Sequence, residues 1–104
     1  MEAMARRLVE LMNRNSLNAT ALGKKTGVAQ STINRWLNAV TKPELESIEK
    51  VASYFDVPAE YFICKDDKKA KIYLMLHDMT SKELDESLFH FQKEKLWKDS
   101  KRTA

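Results

Sequence analysis

Glycine and proline are scarce in this chain, two of each among 104 residues. That scarcity removes the turn residues a sandwich or barrel of short strands would need, so an all-α fold is the expectation. A single cysteine, Cys64, excludes an intramolecular disulfide and any zinc site built on cysteine pairs, and it suits a reducing, cytoplasmic setting. No apolar run approaches the roughly 20 residues of a membrane span, and Met1 to Leu11 lacks the apolar stretch and small-residue cleavage site of an export signal. There is no glycine-rich phosphate loop and no assignable pair of catalytic carboxylates, so no enzyme chemistry is expected. His77 and His90 have no ligand-type partner at i+4, so neither a metal nor another cofactor is expected. Cys64, with no histidine placed by sequence to activate it, is expected to be a small buried residue at the end of a domain.

What is present is an uneven distribution of charge. The formal net charge is only +3, yet residues 1–42 carry seven basic side chains (Arg6, Arg7, Arg14, Lys24, Lys25, Arg35, Lys42) against Glu2 and Glu10. Residues 43–64 reverse the balance, with Lys50 against Glu44, Glu46, Glu49, Asp56 and Glu60. A domain divided in this way presents a basic face to a polyanion and an acidic face away from it.

Hydrophobic spacing predicts seven helices. Met4, Leu8, Leu11 and Met12 mark a first helix from about residue 3 to Arg14, ended by Asn15 and Ser16. Asn18 is an N-cap for a second, short helix through Thr26. Gly27 supplies a turn, and a third helix, Gln30 to Leu37, sets Ile33, Trp36 and Leu37 on one side and Ser31, Thr32, Asn34 and Arg35 on the other. The spacing of Trp36 from Ile33 reads as core packing. Pro43 precedes a fourth helix with Leu45, Ile48, Val51, Ala52 and Phe55, whose nearby Glu44, Glu46 and Glu49 suit the positive end of its dipole. Pro58 opens a fifth with Tyr61, Phe62 and Ile63. Lys65-Asp66-Asp67-Lys68-Lys69 reads as a polar hinge. Beyond it, Ile72, Met75, Leu76 and Met79 mark a sixth helix, and Thr80-Ser81-Lys82-Glu83 is a capping box for a seventh carrying Leu84, Leu88 and Phe91, with Phe89 and Leu96 beside them. Residues from about Asp99 are expected to fray.

The densest signal is Asn18 to Leu37, NATALGKKTGVAQSTINRWL. Two helices joined by a tight turn need a small residue where their backbones meet, and Gly23 stands there; they need a turn residue tolerant of positive φ, and Gly27 follows four positions later. Leu22, Val28, Ile33 and Trp36 supply apolar pegs into a shared core. This block, with the helix before it and NAVTKPELESIEKVASYFDVPAEYF after it, resembles the lambda-repressor and Cro family of bacterial and phage transcription regulators over roughly residues 4–63. Ala19, where the family often has glutamine, and Ala39, where it often has glycine, depart from the pattern.

The resemblance implies a five-helix DNA-binding domain over residues 1–64, followed by a helical extension over 65–104. It assigns Gln30, Ser31, Thr32, Asn34 and Arg35 to base edges in the major groove, which fits their chemistry: glutamine bonds adenine, arginine forks onto guanine, and a threonine methyl meets thymine. It assigns Asn18, Asn38 and Lys42 to phosphates, with Lys24 near them. The apolar residues Ile72, Met75, Leu76, Met79, Leu84, Leu88 and Phe91 admit two readings: they fold back on the domain, or they dimerise with a second copy. The implied function is a repressor that binds double-stranded DNA at a pseudo-palindromic operator as a homodimer. Two alternatives are an antitoxin that represses its own operon while its C-terminal segment binds a toxin, and a protein-interaction module that has lost DNA binding.

Overall fold

The computed structural model describes residues 2–40 and 42–94. Within them the chain forms α1 (Glu2–Arg14), α2 (Ala19–Thr26), α3 (Gln30–Leu37), α4 (Leu45–Phe55), α5 (Ala59–Ile63), α6 (Asp67–His77) and α7 (Ser81–Glu94), with no strand among the described residues. Leu96, the fraying expected from Asp99 and Thr41 of the loop after α3 lie outside the described residues.

The spacing that announces each helix also builds the core. Met4, Leu8 and Met12 line the inner side of α1, and Leu22, Val28, Ile33, Trp36, Ile48, Val51, Ala52 and Phe62 complete one apolar cluster drawn from the first five helices. Trp36, 2% exposed, is the largest of the fully buried side chains. Replacing such a residue with alanine typically costs about 3–5 kcal/mol, and this scale sets the core above any single surface contact. α3 packs on α1 and α2, α2 also meets α4, and α5 closes the domain against α1 and α4. Leu45, expected in the buried stripe of α4, is instead 59% exposed, because it occupies the first turn, ahead of the contact made by Ile48.

With so few glycines, three helices turn off through residues that carry a Cβ. Ser16, Ala39 and Asp56 have φ of 53°, 55° and 55°. In each turn the left-handed residue and its successor return their N–H groups to the helix: Ser16 to Asn13 O and Leu17 to Met12 O, Ala39 to Trp36 O and Val40 to Arg35 O, Asp56 to Ser53 O and Val57 to Ala52 O, all within 3.2 Å. These six bonds satisfy carbonyls that a helix end leaves free, which offsets a steric penalty of about 1–2 kcal/mol per left-handed L residue.

Three further sequence expectations require correction. Arg7, counted above with the basic face, is only 3% exposed. Its guanidinium donates to Tyr61 O at 2.9 Å, to Cys64 O, and to Asp67 Oδ1 at 2.8 Å, and it lies 5.6 Å from the centroid of the Tyr61 ring. A lone buried charge is too costly to persist, so Arg7 reached the interior together with a carboxylate and two carbonyls. The polar segment 65–69 is likewise no hinge throughout. Asp66 caps α6 by accepting from the N–H of Lys68 and Lys69 at 2.8 and 3.1 Å, and Asp67 to Lys69 form the first turn. Cys64, at the joint between α5 and α6, is half-buried and not enclosed.

α6 packs on α5 and buries Ala70. At its far end His77 Nε2 donates to Asp56 Oδ1 at 3.1 Å, and Asp78 brings a third exposed ligand-type side chain to within 4.8 Å of both. Helical spacing had offered His77 no such neighbour, since 21 residues separate it from Asp56. The Thr80 box forms as expected: Glu83 N donates to Thr80 Oγ1 at 3.2 Å and Thr80 N to Glu83 Oε1 at 3.1 Å. α7 buries none of its residues.

Gly23 explains why α2 and α3 approach so closely. A Cβ there would stand 2.8 Å from Val28 O, a backbone atom that cannot rotate away. Gly23→Ala is therefore expected to lower stability by about 1–3 kcal/mol in chemical unfolding. Ala39→Gly should raise it by up to about 1 kcal/mol, because glycine removes the penalty of the left-handed turn after α3 and returns part of the gain as backbone entropy. Hydrogen bonds from Arg7 and then Arg6 hold the Asp67 carboxyl below its ordinary 3.8, and the backbone N–H and hydroxyl of Thr80 hold Glu83 below its ordinary 4.5. Both groups favour the native state above those ordinary values and lose that contribution as pH falls through their lowered folded values. The urea midpoint should accordingly drop on acidification below about pH 4, and Asp67→Asn should drop less steeply than the parent.

Candidate nucleic-acid interface

The α2–α3 unit owes its shape to a few local devices. Asn18 Oδ1 accepts from Ala21 N at 2.8 Å and so starts α2. Thr26 Oγ1 donates to Leu22 O at 2.8 Å and accepts from Val28 N at 3.3 Å, binding the last turn of α2 to the connection. Gly27 takes φ 79° and returns its N–H to Gly23 O. Val28 is then turned into the core, and Ala29 begins α3 with no side-chain cap on that helix. The N-terminal N–H groups of α3 thus keep their partial positive charge available for an anion.

α3 has two chemically distinct faces. Ile33 and Trp36 are buried, while Gln30, Ser31, Asn34 and Arg35 are exposed and Thr32 is half-buried. All five side chains expected at base edges therefore sit on one eight-residue helix, four of them exposed. Arg35 Nε donates to Ser31 O at 3.4 Å, a long bond that leaves the end of the guanidinium free to fork onto another acceptor.

The residues expected at phosphates are less uniform. Asn18 and Lys24 are exposed at opposite ends of α2. Asn38 is exposed, but its Nδ2 donates to Asn34 O at 2.8 Å, so it caps α3 as well as lying in the loop. Ala39, the departure from the family's glycine, nonetheless adopts the left-handed conformation a glycine would favour, and the loop closes through the same two backbone bonds described above. Lys42 shares a cleft of about 240 Å³ with Thr32, Arg35, Trp36, Glu44 and Ser47. Lys25, by contrast, lines a depression with Glu46, Glu49 and Lys50, where acidic neighbours offset its charge.

Glu44 and Ser47 are the residues of this surface that the sequence reading missed. Glu44, a helix-dipole partner by its sequence position, occupies the N-cap of α4 without a side-chain cap bond, and there it also lines the cleft with Arg35 and Lys42. No periodicity within α3 could reveal them, because they belong to the next helix. A carboxylate flanking α3 repels anions and restricts which groups Arg35 and Lys42 can meet.

Similarity to known proteins supports the same fold. A helix-turn-helix family model matches residues 8–62. A solved structure described as a SinR protein/SinI protein complex superposes with a TM-score of 0.63 at 23% identity, covering 93% of this chain and 98% of that one, and shows that the fold extends through the C-terminal helices. No curated protein matches the chain. With a glycine-hinged helix pair, a polar outer face on its second helix and a matching family model, the chain belongs to the lambda-repressor and Cro-like helix-turn-helix family of DNA-binding transcription regulators.

Proposed function

We infer that the protein is a cytoplasmic repressor that binds a pseudo-palindromic operator as a homodimer, with Gln30, Ser31, Thr32, Asn34 and Arg35 reading bases and Asn18, Lys24, Asn38 and Lys42 gripping phosphates. The observation that carries this reading is the division of α3: Ile33 and Trp36 are sunk in the core, while Gln30, Ser31, Asn34 and Arg35 are exposed and engaged, among the described residues, by no more than the long Arg35 to Ser31 bond, the Asn38 to Asn34 O bond and the flanking cleft. A helix of eight residues spans roughly 12 Å and so reaches only three or four base pairs in one groove. Two copies, with half-sites about 34 Å apart, double the reading.

The C-terminal helices supply the apolar surface for pairing. Ile72, Met75, Leu84, Leu88 and Phe91 are between 40% and 61% exposed, Leu76 and Met79 are half-buried, and Phe89 is 70% exposed. An α7 that buries nothing within its own chain is unstable as a solitary helix and gains most from a partner. A second reading has support from the same surface. The similar solved structure is by its description a complex of two different proteins, and a different protein seated on α6 and α7 fits the antitoxin alternative. Co-purification of a second small protein from the native source would favour that reading over the homodimer.

Three outcomes test the proposal. Selection from random duplexes should recover inverted half-sites, and Arg35→Ala should weaken the selected operator by about 1–3 kcal/mol while relaxing preference at one base position. Lys42→Ala should weaken all sequences alike and reduce the salt slope of binding by about 1, as expected for one lost phosphate contact. A parent-like response from both variants would remove α3 from the reading role. Leu88→Asp combined with Phe91→Asp should convert a dimer to a monomer in sedimentation and lower operator affinity by about 100-fold or more, because the second half-site then binds without the benefit of linkage.

A further inference from the structure

We propose that the joint made by Arg7 and Asp67 sets the spacing between half-sites that the protein accepts, Arg7 acting as a positioning residue that never meets DNA. The proposal rests on the dimer reading above, in which α6 and α7 hold two copies together. Only Cys64, Lys65 and Asp66 separate α5 from α6. The carbonyls of Tyr61 and Cys64 fall at the end of α5, where the helix has no N–H of its own to offer them. Arg7, rooted in α1, donates through Nη1 to both of these carbonyls and through Nη2 to Asp67 Oδ1 at 2.8 Å, in the first turn of α6. Arg6 Nη2 reaches the same carboxylate oxygen at 3.2 Å.

One planar group therefore holds the end of one helix and the start of the next. A guanidinium fork fixes direction as well as distance, which a point charge does not. α6 packs on α5 but buries only Ala70 of its own residues, so its direction is left to the fork at its base and, among the described residues, to the exposed His77 to Asp56 contact at its far end. Because α1 also packs on α3, the orientation of the reading helix passes through Arg7 to α6 and from there to the pairing surface. The lever is long enough to matter. α6 has 11 residues, roughly 16 Å at about 1.5 Å per residue. A tilt of about 10° at its base moves its end by roughly 3 Å, close to the roughly 3.4 Å rise of one base pair.

The test uses duplexes built from the half-site recovered by selection, with the separation of two inverted copies varied from two base pairs shorter to five longer. The parent is expected to lose about 100-fold or more in affinity when the spacing changes by two base pairs or more. Asp67→Ala, whose side chain is largely exposed and whose loss leaves the core intact, is expected to lose less than about tenfold over the same series, while binding a single half-site as the parent does. Arg7→Lys, which keeps the charge but not the fork, should flatten the profile in the same way; should it fail to fold, Asp67→Ala carries the test. An Asp67→Ala profile as steep as the parent's overturns the proposal and leaves the dimer reading standing. An Asp67→Ala protein that sediments as a monomer where the parent is a dimer also overturns it, because the joint would then be needed for pairing itself. A flat profile from the parent overturns the dimer reading and the proposal together.

Discussion

The contact between the backbone at Gly23 and the carbonyl of Val28 fixes the geometry on which this domain depends. A carbonyl oxygen 2.8 Å from where a Cβ would stand means that α2 and α3 meet with no side chain between them. That closeness turns Val28, Ile33 and Trp36 into one core with Leu8 and Leu22. Once those residues are buried, Gln30, Ser31, Asn34 and Arg35 on the opposite side of α3 are left exposed, with Lys42, Glu44 and Ser47 at the edge of that face beside Thr32 and Arg35. The exposed polar face of α3 is thus a consequence of packing on the other side of the same helix.

Scarcity of glycine has a structural signature of its own. Where the family often has glycine after the reading helix, Ala39 holds a left-handed φ of 55°, and its cost is borne by two backbone bonds and by burial of the flanking Trp36. The loop that positions Lys42 is therefore held by strain balanced against hydrogen bonding, and the same balance recurs at Ser16 and Asp56. Local propensity disfavours all three turns; the tertiary contacts of the helices they end outweigh it.

Arg7 shows how burial changes the meaning of a charge. On the surface it would have added to the field that attracts DNA. Inside, it closes carbonyls at the end of α5 and anchors α6, so the cationic character of the first 42 residues is carried by the other six basic groups. The cost of breaking the cluster depends on which member is lost: without Arg7 the carbonyls of Tyr61 and Cys64 lose a buried donor, whereas loss of the exposed Asp67 carboxylate leaves a guanidinium that still has both carbonyls. The joint thereby adds a directional restraint where α6 leaves the first five helices, beside its packing on α5.

The sequence by itself determined the class of fold, the order and approximate limits of the seven helices, the core of the first five and the face of α3 that stays polar. Each of these follows from short-range rules: apolar spacing at 3.6 residues, cap chemistry at Asn18 and Thr80, and the steric freedom of Gly23 and Gly27. The family resemblance then supplied the roles that chemistry alone left open. Only the tertiary structure decided that Arg7 is buried, that Asp67 belongs to a helix and not a hinge, that Glu44 and Ser47 flank the reading helix and that His77 meets Asp56. All of these are pairings between residues of different elements or their caps, between 9 and 60 positions apart in the cases of Arg35 with Glu44 and Arg7 with Asp67. No periodicity within one helix records which distant element its outer face will meet, because that choice is made by the packing of the whole core.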